Sequence, residues 1–96
     1  MIKVNIKNNI IEVKGHADYD KSGKDIVCAS VSTLIISTIN LCELFGKLDK
    51  IHYELSEGYF KLEVFKDEIV DVLYDNFKNS ICDLESQYPK YIKITQ

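Results

Sequence analysis

Proline and glycine are scarce in this sequence: one proline and four glycines in 96 residues. That leaves no room for a long linker or a disordered tail, and no internal repeat or low-complexity segment is present. A chain of this length makes one domain, residues 1–96, just large enough for a single hydrophobic core. Basic character is missing too. Twelve basic residues stand against fifteen acidic ones, a net charge of −3. The lysines are scattered, which argues against a nucleic-acid partner. The N-terminus, MIKVNIKNN, lacks the continuous apolar run of a signal peptide, so a cytoplasmic location is the default expectation. No C-x-x-C or C-x-x-H pair occurs, so no metal site is expected. The cysteines, Cys28, Cys42 and Cys82, are odd in number and widely spaced, which fits reduced thiols better than a disulfide framework.

What is present is ordered along the chain. Ile2, Val4 and Ile6 alternate with Lys3, Asn5 and Lys7, the period of a half-buried strand. Asn8-Asn9 reads as a tight turn, and residues 10–14 return as a second strand with Ile11 and Val13 on one face. Residues 15–25 are polar and glycine-containing, a loop. From Ile26 to about Phe45 the chain is helical, with Gly46 as its stop. Two strands follow, KIHYEL with Ile51, Tyr53 and Leu55 inward, and YFKLEVF with Phe60, Leu62 and Val64 inward, joined at Ser56-Glu57-Gly58. His52 falls on the solvent face. Ile69, Val70, Leu73, Phe77, Ile81 and Leu84 mark a second helix over 67–87. Pro89 ends it and YIKIT is a last strand. The order is ββαββαβ: an α+β, two-layer sandwich with one mixed sheet and both helices on one face.

The first helix carries no charge from residue 26 to residue 42. A helix neutral all round is buried on more than one side, yet this one is too short and too rich in Ser, Thr and Asn for a membrane span. The small residues Ser30, Thr33, Ser37 and Asn40 allow a close helix approach. A homodimer packed through this helix, with no membrane partner, is the expectation. Cys42 and Cys82 read as packing residues.

His16 and Cys28 stand twelve positions apart across the loop. Asp25 is a good N-cap for the helix, although Ser22-x-x-Asp25 also fits a capping box that would begin it earlier. Either way Cys28 falls in the first or second turn, where free amides and the helix dipole favour a thiolate. An imidazole beside it could take the thiol proton and later protonate a leaving amine, with the helix-start amides receiving an oxyanion. Asp25 either orients His16 or only caps the helix. Gly15 and Gly23 bracket the loop and would let it move like a lid. Against this stands the plain alternative of a core thiol near a solvated histidine. From the residues alone, both readings remain.

The stretch GHADYDKSGKDIVCASVSTLIISTINL resembles the signature of the ribosomal processing cysteine protease family, Prp, of Firmicutes and related bacteria. The matching elements are Gly15-His16-Ala17, Gly23-Lys24-Asp25-Ile26-Val27-Cys28-Ala29, Ser32 and Asn40; Ser30 replaces an expected alanine. Length and element order agree as well. The resemblance implies a cysteine endopeptidase that removes the N-terminal extension of a large-subunit ribosomal protein, bacterial L twenty-seven, cutting just after an aromatic residue. It implies Cys28 as nucleophile, His16 as base and Asp25 in support, a homodimer, and no cofactor. Tyr19 and Ser32 become candidates for contacting substrate, although Tyr19 could instead pack on its own loop. Asp18, Asp20 and Asp25 either attract a lysine-bearing substrate or are simply solvated. Two other functions compete: a noncatalytic ribosome-associated binding module with a vestigial thiol site, and a thiol redox protein, which the lack of a nearby resolving cysteine disfavours.

Overall fold

A computed structural model describes residues 1–16 and 25–96. The elements are β1 (Ile2–Lys7), β2 (Ile10–Lys14), α1 (Ile26–Leu44), a 3-10 turn (Leu48–Lys50), β3 (Ile51–Ser56), β4 (Tyr59–Val64), α2 (Glu68–Gln87) and β5 (Ile92–Thr95). Their order is the expected ββαββαβ. The five strands form one sheet in the order β3-β4-β2-β1-β5. It is mixed because β5 returns through α2 to run parallel to β1, while the other neighbours are antiparallel.

Strict alternation puts Ile2, Val4 and Ile6 on the same buried face as Ile11, Val13, Phe60 and Leu62. Both helices cover that face, joining Val27, Val31 and Ile35 of α1 and Val70, Phe77 and Ile81 of α2 to a single core. The other face keeps Lys3, Lys14 and Lys93 in register across three strands, where all three are exposed. The β1–β2 turn closes with Asn8 at φ 54°, a conformation asparagine tolerates. The Asn9 side chain then donates to the carbonyl of Val64 at 2.7 Å, pinning the turn to β4.

The caps explain where the helices stop. Gly46 takes φ 70°, its N–H bonds the Glu43 carbonyl and the Lys47 N–H bonds that of Cys42, both at 2.8 Å; this is a Schellman ending. Asp67 caps α2, accepting from the amides of Ile69 and Val70 and from Lys47 Nζ at 2.8 Å. The Lys47 hydrogen bond, helped by the Val70 amide, holds the Asp67 carboxyl below its ordinary value. A depressed carboxylate contributes stability above its unfolded pKa and loses it as pH falls through the folded one. Wild type is therefore expected to lose stability relative to Asp67→Asn as pH drops from 5 toward 2 in urea titrations. Parallel curves would show that Asp67 has no such role.

Three expectations are corrected. Tyr53 and Leu55 point to the inner face but are 42% and 51% exposed, because β3 is an edge strand and the helices do not reach over its far end. Ile69 is exposed and Tyr74 is buried; the stripe of α2 is rotated so that the Tyr74 hydroxyl donates to the Asn8 carbonyl at 3.2 Å. The 19 residues of α1, with a mean hydropathy of 1.7, do reach the length and apolarity of a membrane span. Its stripe Val27, Val31, Ile35, Ile39 and Cys42 is buried in the same core as the sheet, while only 28% of the span is buried in all.

Candidate active site

Asp25 adopts an extended conformation and its Oδ1 accepts from the amides of Val27 at 3.0 Å and Cys28 at 2.9 Å. It is therefore the N-cap, and α1 begins at Ile26. Cys28 is the third helical residue, in the first turn and half-buried. Its surroundings differ from those of Cys42, which is buried and whose thiol burial pushes up; such a thiol is inert. The cap also changes one expectation. The amides of Val27 and Cys28 go to the Asp25 carboxylate, and that of Ala29 goes to the Asp25 carbonyl at 3.0 Å. In this conformation these helix-start amides are not open to an oxyanion, because the capping carboxylate already occupies them.

β2 delivers His16. At Gly15 the chain turns with φ 96°, and a Cβ there would stand 2.6 Å from the Met1 carbonyl oxygen. The Gly15 N–H donates to the Gly58 carbonyl at 2.9 Å. Glycine is required twice over at this point, by the angle and by the close approach. His16 follows, exposed, and its imidazole lies against Gly58 of the β3–β4 turn.

His16 and Cys28 line one cleft of about 250 Å³. Ile2, Val13, Val31, Ile35 and Phe60 give it an apolar floor, Ser32 lies one helical turn beyond Cys28, and Leu55, Ser56, Glu57 and Gly58 form its far wall. A pocket with an apolar base and few polar groups suits a bulky apolar side chain held beside a nucleophile. Among the described residues no group of three or more His, Cys, Asp or Glu side chains could hold a metal ion. Tyr19, Gly23, Asp18, Asp20 and Ser22 lie outside the described residues.

The model of the family described as cysteine protease Prp matches residues 1–93. The chain belongs to the cysteine protease Prp family. That membership makes it a cysteine peptidase and agrees with the resemblance carried by Gly15-His16-Ala17 and the Cys28 segment. Similar curated Prp proteins include the ribosomal processing cysteine protease Prp of Staphylococcus aureus, 27% identical over 97% of this chain and 92% of that protein. The Prp of Mycoplasma genitalium is 49% identical over a shorter match, 41% of this chain and 39% of that protein. Among solved structures, the S. aureus Prp in complex with a covalently linked product peptide has a TM-score of 0.82 at 18% identity, covering 98% of this chain and 95% of that one. A Streptococcus mutans structure has a TM-score of 0.78 at 28% identity, covering 99% and 92%. The Prp fold thus spans essentially the whole chain.

The structure brings His16, Cys28, Ser32 and Gly15 to one cleft and sets Asp25 at its helix start. The β3–β4 wall is the part that sequence reasoning missed. Gly58 stands 42 residues after His16, and as a hairpin glycine it carries no local sign of contact with a histidine.

Proposed function

We propose that this Prp-family protein removes the N-terminal extension of a large-subunit ribosomal protein, the bacterial L twenty-seven of the family resemblance, with Cys28 as nucleophile and His16 as base. The observation that carries the reading is the meeting of these two residues in one cleft of a chain that matches the family model over residues 1–93. Curated relatives named as ribosomal processing proteases support the substrate class.

The chemistry follows from the residue types. The His16 imidazole takes the proton from Cys28 Sγ, and the imidazolium so formed is the cation that favours the thiolate, since the first-turn amides already face the Asp25 carboxylate. The Sγ lone pair attacks the scissile carbonyl carbon, and the C=O π pair moves onto oxygen to give a tetrahedral oxyanion. As the carbonyl reforms, the C–N bond breaks and the imidazolium hands its proton to the leaving amine. That amine is the new N-terminus of the ribosomal protein. Water, deprotonated by the same imidazole, then hydrolyses the thioester and regenerates the thiol.

The apolar floor of the cleft would receive the aromatic residue that precedes the cut. That Ser32 lines the cleft with Cys28 supports a contact with the bound peptide, and Tyr19 belongs to the same proposal. Asp25 acts as a cap, so Asp25→Asn, which keeps the capping geometry, is expected to cleave a peptide spanning the extension junction as wild type does. Loss of cleavage in a folded Asp25→Asn would instead assign its charge a part in the reaction. Cys28→Ala and His16→Ala in the same assay test the reading itself.

A cytoplasmic homodimer is part of the proposal. The outer side of α1 exposes Thr33, Ser37 and Asn40 together with Ile36, 52% exposed, and Leu44, 81% exposed, a mixture of small and apolar groups suited to a second copy. Sedimentation equilibrium is expected to give twice the monomer mass. A monomer at every concentration removes this part.

A further inference from the structure

His16 is exposed, and an exposed side chain samples several rotamers unless something bounds it. Here the boundary is Gly58. A Cβ built at Gly58 would stand 3.0 Å from His16 Nε2, with Cε1 and Cδ2 at 3.6 and 3.7 Å. The backbone is registered at the same place, since the Gly15 N–H donates to the Gly58 carbonyl at 2.9 Å. The chain leaving β2 is thus tied to the β3–β4 turn by this main-chain bond, and the imidazole stands beside the same glycine. We infer that Gly58 is a positioning residue for the base: its bare Cα forms the wall that sets where the His16 ring stands relative to Cys28. This rests on the reading of His16 as the base.

The contact is close enough to matter and soft enough to leave folding intact. A Cβ at 3.0 Å requires its neighbour to give by a few tenths of an ångström, and the neighbour is the tip of an exposed side chain. The ring would move while the backbone stayed. A thiol and imidazole displaced from each other exchange a proton less well, and the thiolate loses part of its cationic partner.

The fold supplies its own control. Gly46 has the same φ of +70° but nothing within 4 Å of a Cβ. It closes the far end of α1, about 27 Å along the helix from Cys28 at 1.5 Å per residue. Gly46→Ala therefore carries the left-handed strain without the contact. Gly58→Asn carries the contact with less strain, because asparagine tolerates this region.

The experiment measures peptide cleavage, thermal unfolding and the pH dependence of Cys28 alkylation in the full chain for Gly58→Ala, Gly58→Asn, Gly46→Ala and His16→Ala. Both Gly58 variants are expected to lower kcat about tenfold and to move the midpoint of Cys28 alkylation, which does not depend on peptide binding, upward in pH. Gly46→Ala is expected to match Gly58→Ala in lost thermal stability and wild type in kcat and midpoint. Gly58→Asn cleaving and alkylating as wild type does would overturn the inference, with His16 still the base if His16→Ala is inactive. A folded His16→Ala that cleaves normally overturns both readings.

Discussion

Cys28→Ala is expected to abolish cleavage of a peptide spanning the extension junction, and His16→Ala to lower it by at least about 10³-fold, since nucleophile and base act as one unit and losing either forfeits most of the rate. Neither substitution should unfold the chain. Cys28 is only half-buried at the helix start, and His16 is exposed beside Gly58. The readout is product mass, with cleavage expected after the aromatic residue and circular dichroism confirming the fold. Cys82→Ala, on the half-buried side of α2, should cleave as wild type does. The two competing functions give different results. A noncatalytic binding module leaves the peptide intact with wild type as well. A redox thiol shows reversible oxidation of Cys28 on which function depends. A folded wild type that leaves the peptide uncut, with Cys28 alkylating slowly at neutral pH, would remove the protease mechanism from these residues.

Phe77→Ala is expected to have the largest effect on stability. Phe77 is 0% exposed and its ring centroid lies 6.0 Å from that of Phe60, so it links α2 to the strand that floors the cleft. Truncating a buried phenylalanine removes its transfer free energy and leaves a cavity, together about 3–5 kcal/mol. A domain of this size holds only about 5–15 kcal/mol in total, and each 1 kcal/mol shifts Tm by about 4–8 °C. A fall in Tm of at least about 12 °C is therefore the expected result of thermal unfolding followed by circular dichroism. A shift of under about 4 °C would mean that the core around Phe60 collapses to fill the space. Because Phe77 does not line the cleft, Phe77→Ala tested well below its Tm should retain a KM close to wild type, which separates lost folding from lost chemistry.

Much of this protein is local information. Period-two alternation in β1, β2 and β4 decided which face of each strand is buried, and the three- and four-residue spacing of Val70, Leu73, Phe77 and Ile81 marked most of the inner stripe of α2, though not Tyr74. Asp25, Gly46 and Asp67 mark helix ends through hydrogen bonds that reach only a few residues, so a sequence window contains everything they need. That His16 and Cys28 share one cleft was legible too, because both flank one loop and because the family pattern surrounds them. Edge effects were not legible. Tyr53 and Leu55 have the correct parity but lie on the strand that the helices leave uncovered, and cover depends on where whole elements pack. The engagement of the helix-start amides depended on which of two nearby residues took the cap. The wall of the cleft depended on sheet order: β4 lies beside β2, so the β3–β4 turn arrives at His16. No local pattern encodes that contact, because it is made by a residue with no side chain, brought across the sheet by strand pairing.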